Sequence, residues 1–109
     1  MHQAIYERLQ AVARAEDITY YSDIAPLANL DMDLDTDRER ISELLREIAL
    51  HEHQLGRPLL TAVVIHFADN QPGQGFFTLS RELGLFRTGR PYIFFVQELR
   101  RVHDYWRNA

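Results

Sequence analysis

The stretch from His51 to Phe77, HEHQLGRPLLTAVVIHFADNQPGQGFF, decides the fold of this chain. Gly56 is placed to end a helix, and Pro58 prevents that helix from resuming. The segment Leu59–Phe67 is almost entirely apolar and has β-branched residues at its centre. Such a run predicts a central strand that is buried on both faces. The other elements must pack around it.

Helices are predicted on both sides of this strand by the spacing of apolar residues. A first amphipathic helix is expected over residues 2–15 and a short one after Ser22, which is a good N-cap. A long helix ends at Gly56, with Asp35, Thr36 or Asp37 as its cap. After a loop at 68–75, a short helix is expected over 76–83. A C-terminal helix is indicated by an apolar set: Phe95, Val96, Leu99, Val102 and Trp106.

These elements predict one α+β domain over residues 1–109, mostly helical, with a small sheet of two or three strands. A winged-helix-like arrangement is one form of such a fold. Because a single strand is not stable alone, the strand must find a partner. The candidates are the β-prone segment at Thr19–Tyr21, residues near Tyr92, or a second copy of the chain.

Composition excludes several classes of chemistry. The chain has 109 residues and no cysteine, which excludes disulfides, thiolate catalysis and sulfur-ligated zinc. It has no run of about 18 apolar residues and no secretory leader at its N-terminus. We therefore expect a cytoplasmic protein that neither crosses nor binds a membrane. No cofactor is predicted.

Charge is segregated along the chain. Residues 1–56 hold five arginines and twelve acids, for a charge of −7, whereas residues 81–109 hold six arginines and three acids, for +3. Such asymmetry favours pairing with a second copy or with a charged partner. A homodimer or a protein partner is therefore expected. The net charge of −4 argues against broad non-specific DNA binding, although nucleic acid stays open as a partner.

Two segments invite a metal interpretation, and neither satisfies it. The acidic run from Asp31 to Glu39 would need Gly and Glu at positions six and twelve of a calcium loop, but Thr36 and Ser42 stand there. His51 and His53 diverge by about 200° on a helix, so they cannot face one ion. Glu47 and His51, four residues apart, could, but a zinc site needs three or four ligands. No metal site is predicted.

The candidate functional residues fall into two groups. Candidate binding residues are Arg40, Glu52, His53, Arg57 and His66, and candidate interface residues are Arg100, Arg101, Tyr105 and Trp106. His66 could act as a general base, or it could simply mark the point where the strand reaches solvent. The chain lacks a nucleophile elbow, a phosphate loop and an H-E-x-x-H motif. No catalytic residue is therefore assigned, and the balance lies against an enzyme.

The core of the chain resembles a family of small bacterial domains with the pattern E-H-x-x-G-R-P-L-L-[ST]-A-V-V-V, then P-G-x-G-F-F, then a tail ending near Y-W. The matching segments are Glu52–Val64, Pro72–Phe77 and Tyr105–Trp106, within roughly residues 41–107. This resemblance implies a shared fold and no particular activity.

A more distant resemblance is to the winged-helix DNA-binding domain of O6-alkylguanine alkyltransferases. Their T-Y-x-x-I-A opening is similar to Thr19–Ala25 with one residue inserted. Their R-A-V-G helix start is similar in part to Arg40–Ser42, and their N-P-L-P-x-x-I-P-C-H-R segment to Arg57–Leu60 and His66. The reactive cysteine is missing, which excludes suicide alkyl transfer. The basic recognition surface is also missing, since Asp31–Glu39 is acidic.

Three functions follow, in order. The first is a non-catalytic interaction module that acts through self-association or a protein partner. The alternative is a DNA-binding or damage-sensing module on an alkyltransferase-like winged-helix scaffold. The third is a hydrolase or nuclease that uses His53 or His66 with nearby acids. The surroundings of Arg38, Arg40 and Arg57 discriminate between the first two, because arginines paired with acids favour a structural role.

Overall fold

The computed structural model describes residues 1–109 and contains five α-helices and two short strands. In chain order these are α1 (Gln3–Arg14), β1 (Thr19–Tyr20), α2 (Tyr21–Ile24), α3 (Asp35–Gln54), β2 (Val64–Ile65), α4 (Gln74–Glu82) and α5 (Pro91–Arg107). There are also two 3₁₀ turns: Ala25–Ala28 follows α2, and Leu60–Val63 directly precedes β2. The prediction of a mostly helical α+β fold with a small sheet is confirmed.

The two strands pair in parallel. Thr19 lies opposite Val64, and Tyr20 lies opposite Ile65. The segment Thr19–Tyr21 was one of the predicted partners, and it is the one used. The sheet has only two strands, so β2 has a strand on one side alone and the prediction of a central strand is wrong.

The segment Leu59–Ile65 is nevertheless the centre of the core. Its 3₁₀ turn contacts α1, α3 and α5, and it takes part in a cluster of 23 buried residues. Val63 is fully buried and Ile65 is 4% exposed. A continuous apolar run cannot by itself distinguish a buried strand from a buried turn of helix. Here helices surround Leu60–Val63, and only the last two residues meet another strand.

Both predicted glycine stops are present, but the predicted caps are not. Gly56 and Gly84 follow α3 and α4 with φ of +74° and +73°, a conformation that glycine adopts without strain. The residue that precedes α2 is Tyr20, not Ser22, and α3 is preceded by Leu34 without a side-chain cap. The Asp37 carboxylate instead accepts a hydrogen bond from the Asp31 N–H, 2.8 Å away.

The C-terminal helix closes one side of the core. It starts at Pro91, whose missing N–H costs nothing in the first turn. Its inner face contributes Phe95, Val102 and Trp106. None of the five helices is both long enough and apolar enough to cross a membrane. A winged-helix-like arrangement stays a prediction.

Candidate functional site

The carboxyl ends of the two strands form the most promising site. Because β1 and β2 run in parallel, the residues after each strand emerge at the same edge. Tyr21 follows β1, and His66 follows β2. Crevices at this edge of parallel sheets are common ligand sites. Here the first turn of α4 and the middle of α3 complete the crevice.

Tyr21, His66 and Gly73 form a tight cluster at the crevice. The tyrosine and imidazole rings stack with centroids 4.3 Å apart and an interplanar angle of 23°. The Gly73 N–H donates a hydrogen bond to the Tyr21 hydroxyl oxygen over 2.8 Å. A Cβ atom at residue 73 would lie 3.0 Å from Tyr21 Oη and 3.1 Å from His66 Nε2. A side chain at this position would therefore fit only if the Tyr21 or His66 ring moved by a few tenths of an ångström.

The surroundings of Tyr21 keep its hydroxyl protonated. Burial raises the pKa of Tyr21, the hydrogen bond from Gly73 acts in the opposite direction, and the charge of Asp69 raises it further. At neutral pH the Tyr21 hydroxyl therefore orders the loop that precedes α4 and does not serve as a base.

The crevice has a volume of about 740 Å³, which lies in the range of small-molecule sites. One wall is apolar and is formed by side chains of α3 and α4: Ile41, Leu45, Ala49, Phe76 and Leu79. Polar groups lie around the wall and the mouth, among them Thr61, His66 and the backbone at Gly73–Gly75. An apolar wall with a few polar groups is typical of a binding site for a small amphipathic molecule.

The charged side chains of the crevice are already engaged. Arg46 lies 2.7 Å from Glu82, and Arg38 pairs with Asp35. Glu43 is the one acid that lines the crevice, and it lies 3.0 Å from Arg40. The acid that lines the crevice with His66 is therefore already paired, and the unpaired carboxylate nearest this cluster is that of Asp69, whose charge acts on Tyr21.

A second cluster of ionisable residues lies in the core, at the end of α3. Glu52 is fully buried, and its Oε2 atom lies 3.1 Å from Arg57 Nη1. The Tyr6 hydroxyl donates to the same oxygen over 3.3 Å. The Arg57 guanidinium lies 5.7 Å from the ring centroid of Trp106 and 5.9 Å from that of Tyr105. The cluster thus connects α1, α3 and α5, which indicates a structural role.

Burial and the carboxylate set the protonation states in this cluster. Burial raises the pKa of Tyr6, and the negative charge of Glu52 raises it further. Burial alone would lower the pKa of Arg57, but the hydrogen bond and charge of Glu52 outweigh it, and the pKa is raised. Glu52 Oε1 is buried without a hydrogen-bond partner, so the ion pair with Arg57 is important for keeping this carboxylate in the core.

The five predicted binding residues do not converge. Only His66 lines the crevice. Glu52 and Arg57 belong to the core cluster, where a fully buried Glu52 cannot reach a ligand. Arg40 lies on the exposed face of α3, and His53 lies half-buried at its C-terminal end. These residues lie on separate faces, so the structure does not bring them together in one site, and their role in binding stays a prediction.

The four predicted interface residues also differ in their surroundings. Arg100 is exposed and has no acidic partner, whereas Arg101 lies 2.7 Å from Glu98. Tyr105 is 40% exposed. Trp106 is 3% exposed, with Arg14 and Arg57 against its ring. Trp106 is therefore covered by its own chain, and its interface role stays a prediction.

Sequence reasoning missed several residues that matter in the structure. Tyr21 and Gly73 lie within the segments compared with the two families, but those patterns do not indicate that they meet, because they are 52 residues apart in the chain. Glu98 is 2% exposed and accepts a hydrogen bond from the Leu59 N–H over 2.8 Å. Its position on the apolar face of α5, three residues after Phe95 and four before Val102, was the available signal.

Comparisons with known proteins add no relative. No protein-family model, curated protein or solved structure matches this chain significantly. Likewise, no three histidine or acidic side chains lie together in an arrangement that could hold a metal ion. The resemblances to the small bacterial domains and to the alkyltransferase domain stay predictions.

Proposed function

We propose that the chain is a non-catalytic interaction module that binds a second copy of itself through the outer face of α5. The observation that carries this proposal is an exposed apolar group on that helix. Tyr92 and Ile93 are each 51% exposed, and Val96 is 43% exposed. Large apolar side chains clustered on a surface are typical of interaction sites.

The basic residues around this apolar group lack acidic partners. Arg87 and Arg90 precede it, Arg100 follows it on the same face, and none of the three forms a salt bridge. We call the group the α5 patch and define it by six residues: Arg87, Arg90, Tyr92, Ile93, Val96 and Arg100. Aromatic residues and arginine are enriched at protein interfaces.

The chain also presents a complementary surface. Leu34 is 52% exposed, and it lies among carboxylates in the loop that leads into α3. Asp31, Asp33 and Asp37 form no salt bridge, so their charge is available to a partner. An acidic surface with an apolar centre therefore matches a basic surface with an apolar centre. Each copy offers both surfaces, as a two-fold dimer requires.

Three arginines within and just after α3 support this proposal over nucleic-acid binding. Each of them forms a salt bridge within the chain: Arg38 with Asp35, Arg40 with Glu43, and Arg57 with the buried Glu52. Arginines that neutralise acids of their own chain contribute little to phosphate binding. A hydrolase or nuclease is less favoured, because Glu43, the acid that lines the crevice with His66, is paired with Arg40.

Sedimentation equilibrium at low and high salt tests the proposal. We expect a dimer at micromolar concentration in about 50 mM salt that weakens as salt rises, because exposed charges are screened beyond roughly 10 Å at 0.1 M. Arg90→Glu should weaken it further, whereas Arg8→Glu, at an exposed arginine of α1, should not. A single-chain mass at every accessible concentration and salt would exclude the proposal. An Arg8→Glu effect as large as that of Arg90→Glu would place the interface elsewhere.

A further inference from the structure

We infer that the crevice between α3 and α4 is a binding site for a small amphipathic carboxylate. The ligand would place its carboxylate at the N-terminus of α4 and its apolar body along Ile41, Leu45 and Phe76. This site is separate from the α5 patch, so it does not depend on self-association.

The first observation is a set of unpaired donors at the start of α4. This helix has no side-chain cap, and its N-cap residue is Gly73. The Gly73 N–H is bound by Tyr21, and the Phe76 N–H bonds back to the Gly73 carbonyl. The N–H groups of Gln74 and Gly75 make no backbone hydrogen bond. Both residues line the crevice, where free donors and the positive end of the helix dipole favour an anion.

The second observation is independent of the helix and concerns Thr61. This residue belongs to the 3₁₀ turn before β2 and is only 6% exposed. Its hydroxyl makes no hydrogen bond to another group of the protein, yet Thr61 lines the crevice. The enclosed polar side-chain atoms that lack a hydrogen-bond partner are Glu52 Oε1 and Trp106 Nε1, so the Thr61 hydroxyl is not sealed in the core and is open to a ligand in the crevice. Thr61 therefore supplies a further polar group in the crevice.

The charge of the crevice selects the ligand. Arg38 and Arg46 line it, but Asp35 and Glu82 neutralise them. The groups that remain to bind a ligand are backbone N–H groups, the Thr61 hydroxyl and the His66 imidazole. These groups suit a single negative charge, whereas a phosphate dianion is usually held by free arginine or lysine side chains. The apolar wall then requires an aliphatic or aromatic body next to the carboxylate.

The rigid Tyr21–His66–Gly73 cluster holds these donors in place before any ligand binds. Gly73 packs tightly against both rings, and its N–H is bound to the Tyr21 hydroxyl, so two contacts hold the chain where it enters α4. A site that is already ordered avoids part of the entropic cost of binding.

Hexanoate is a suitable probe, with hexan-1-ol as the matched neutral compound. We expect hexanoate to shift the backbone amide resonances of Gly73–Phe76 and Thr61 with a Kd of about 1 mM, the affinity reasonable for a ligand of about eight heavy atoms. Hexan-1-ol should bind at least about fivefold more weakly, because it lacks the charge.

Gln74→Pro tests the backbone donor directly. Proline is tolerated at the first helical position, and Gly73 already has the extended conformation, φ −68° and ψ 168°, that a residue before proline requires. This variant loses the N–H at residue 74, whereas Gln74→Ala keeps it and loses only the side chain. We expect hexanoate affinity to fall about five- to tenfold in Gln74→Pro and to stay unchanged in Gln74→Ala.

Thr61→Val tests the second observation, with Thr88→Val as the matched control at an exposed threonine outside the crevice. The first should weaken hexanoate binding about fivefold, and the second should not. Three outcomes would overturn the inference: no amide shifts up to roughly 20 mM hexanoate, about twenty times the expected Kd; equal affinity for hexanoate and hexan-1-ol; or equal affinity of Gln74→Pro and Gln74→Ala.

Discussion

The carboxylate of Glu52 and the guanidinium of Arg57 form an ion pair across the turn that ends α3, with 3.1 Å between Oε2 and Nη1. The two partners are not equally buried. The Glu52 side chain is completely buried, whereas the Arg57 side chain is 30% exposed. Loss of the arginine therefore leaves a charge in the core, whereas loss of the glutamate leaves a charge that can still reach water.

The first prediction concerns this asymmetry. Arg57→Leu should lower the free energy of unfolding by about 3 kcal/mol, because an uncompensated buried charge is strongly destabilising. The double variant Glu52→Leu with Arg57→Leu should be more stable than Arg57→Leu alone, since neither charge remains. Urea denaturation followed by the fluorescence of Trp106, the one tryptophan of the chain, measures both.

A matched control exists for the contact between Arg57 and the tryptophan. Arg14 also lies against the Trp106 ring, 5.2 Å from its centroid, but it does not pair with Glu52. Arg14→Leu should therefore cost less than about 1 kcal/mol, the usual size of a cation–π contact near the surface. Equal costs for the two arginine variants would contradict a dominant role for the buried charge.

The parts of the fold that depend on local sequence were predictable. Gly56 and Gly84 end their helices as expected, and Val63 and Ile65 are buried as expected. The predicted strand fails over Leu60–Val63, because its conformation depends on three helices that pack around it. Hydrophobicity determined its burial, but only the tertiary contacts determined its backbone.

The sites were less predictable than the fold, because their members are distant in sequence. His66 could be identified as the end of an apolar run. Its neighbours Tyr21 and Gly73 could not, since one follows another strand and the other precedes another helix. Glu52 was identified through a motif, but its contact with Tyr6 joins residues 46 positions apart. No periodicity or spacing rule encodes such contacts.

The second prediction compares two glycines at which an added Cβ atom would meet no other atom within 4 Å. Gly56 has φ of +74°, so Gly56→Ala should destabilise the protein by about 1 kcal/mol through backbone strain. Gly75 lies within α4 and has no positive φ, so Gly75→Ala should stabilise by about 0.5–1 kcal/mol. Thermal unfolding should move the two midpoints in opposite directions. A shift in the same direction would contradict the assigned backbone conformations.

The third prediction concerns alkaline pH. Burial raises the pKa of Tyr21 above its ordinary value of 10.0, so the unfolded chain loses this proton at lower pH than the folded chain. The contribution of Tyr21 to the free energy of unfolding is therefore complete below about pH 10, and it is lost as the pH rises through the folded-state pKa. Tyr21→Phe removes this ionisable hydroxyl, so above about pH 10 the variant should lose less stability than the unsubstituted protein does. Urea midpoints between roughly pH 8 and 11 that fall in parallel for both proteins would argue against this contribution.

The fourth prediction concerns the centre of the core. Val63 is fully buried and lies in the turn that contacts three helices. Val63→Asp should prevent folding, because a buried carboxylate without a partner costs several kcal/mol. Val63→Ala should leave a folded protein that is less stable by about 2 kcal/mol, owing to the cavity it creates. Circular dichroism distinguishes the two, and a normal melting transition for Val63→Asp would show that residue 63 reaches solvent.

The last prediction tests the apolar part of the α5 patch separately from its charge. The double variant Ile93→Ser with Val96→Ser removes two exposed apolar side chains and changes no charge. If a second copy covers this face, the variant should remain folded and the dimer dissociation constant should rise at least about tenfold, because each buried aliphatic side chain contributes roughly 1.5 kcal/mol or more.

Leu55→Ser is the control, since Leu55 is 52% exposed and lies at the end of α3, outside both proposed surfaces. Leu34→Ser, in the acidic surface, should weaken the dimer as well. Sedimentation equilibrium of the four proteins at one salt concentration measures these constants. A dimer that is weakened by Leu55→Ser but not by the changes in α5 would assign the interface to the opposite end of α3.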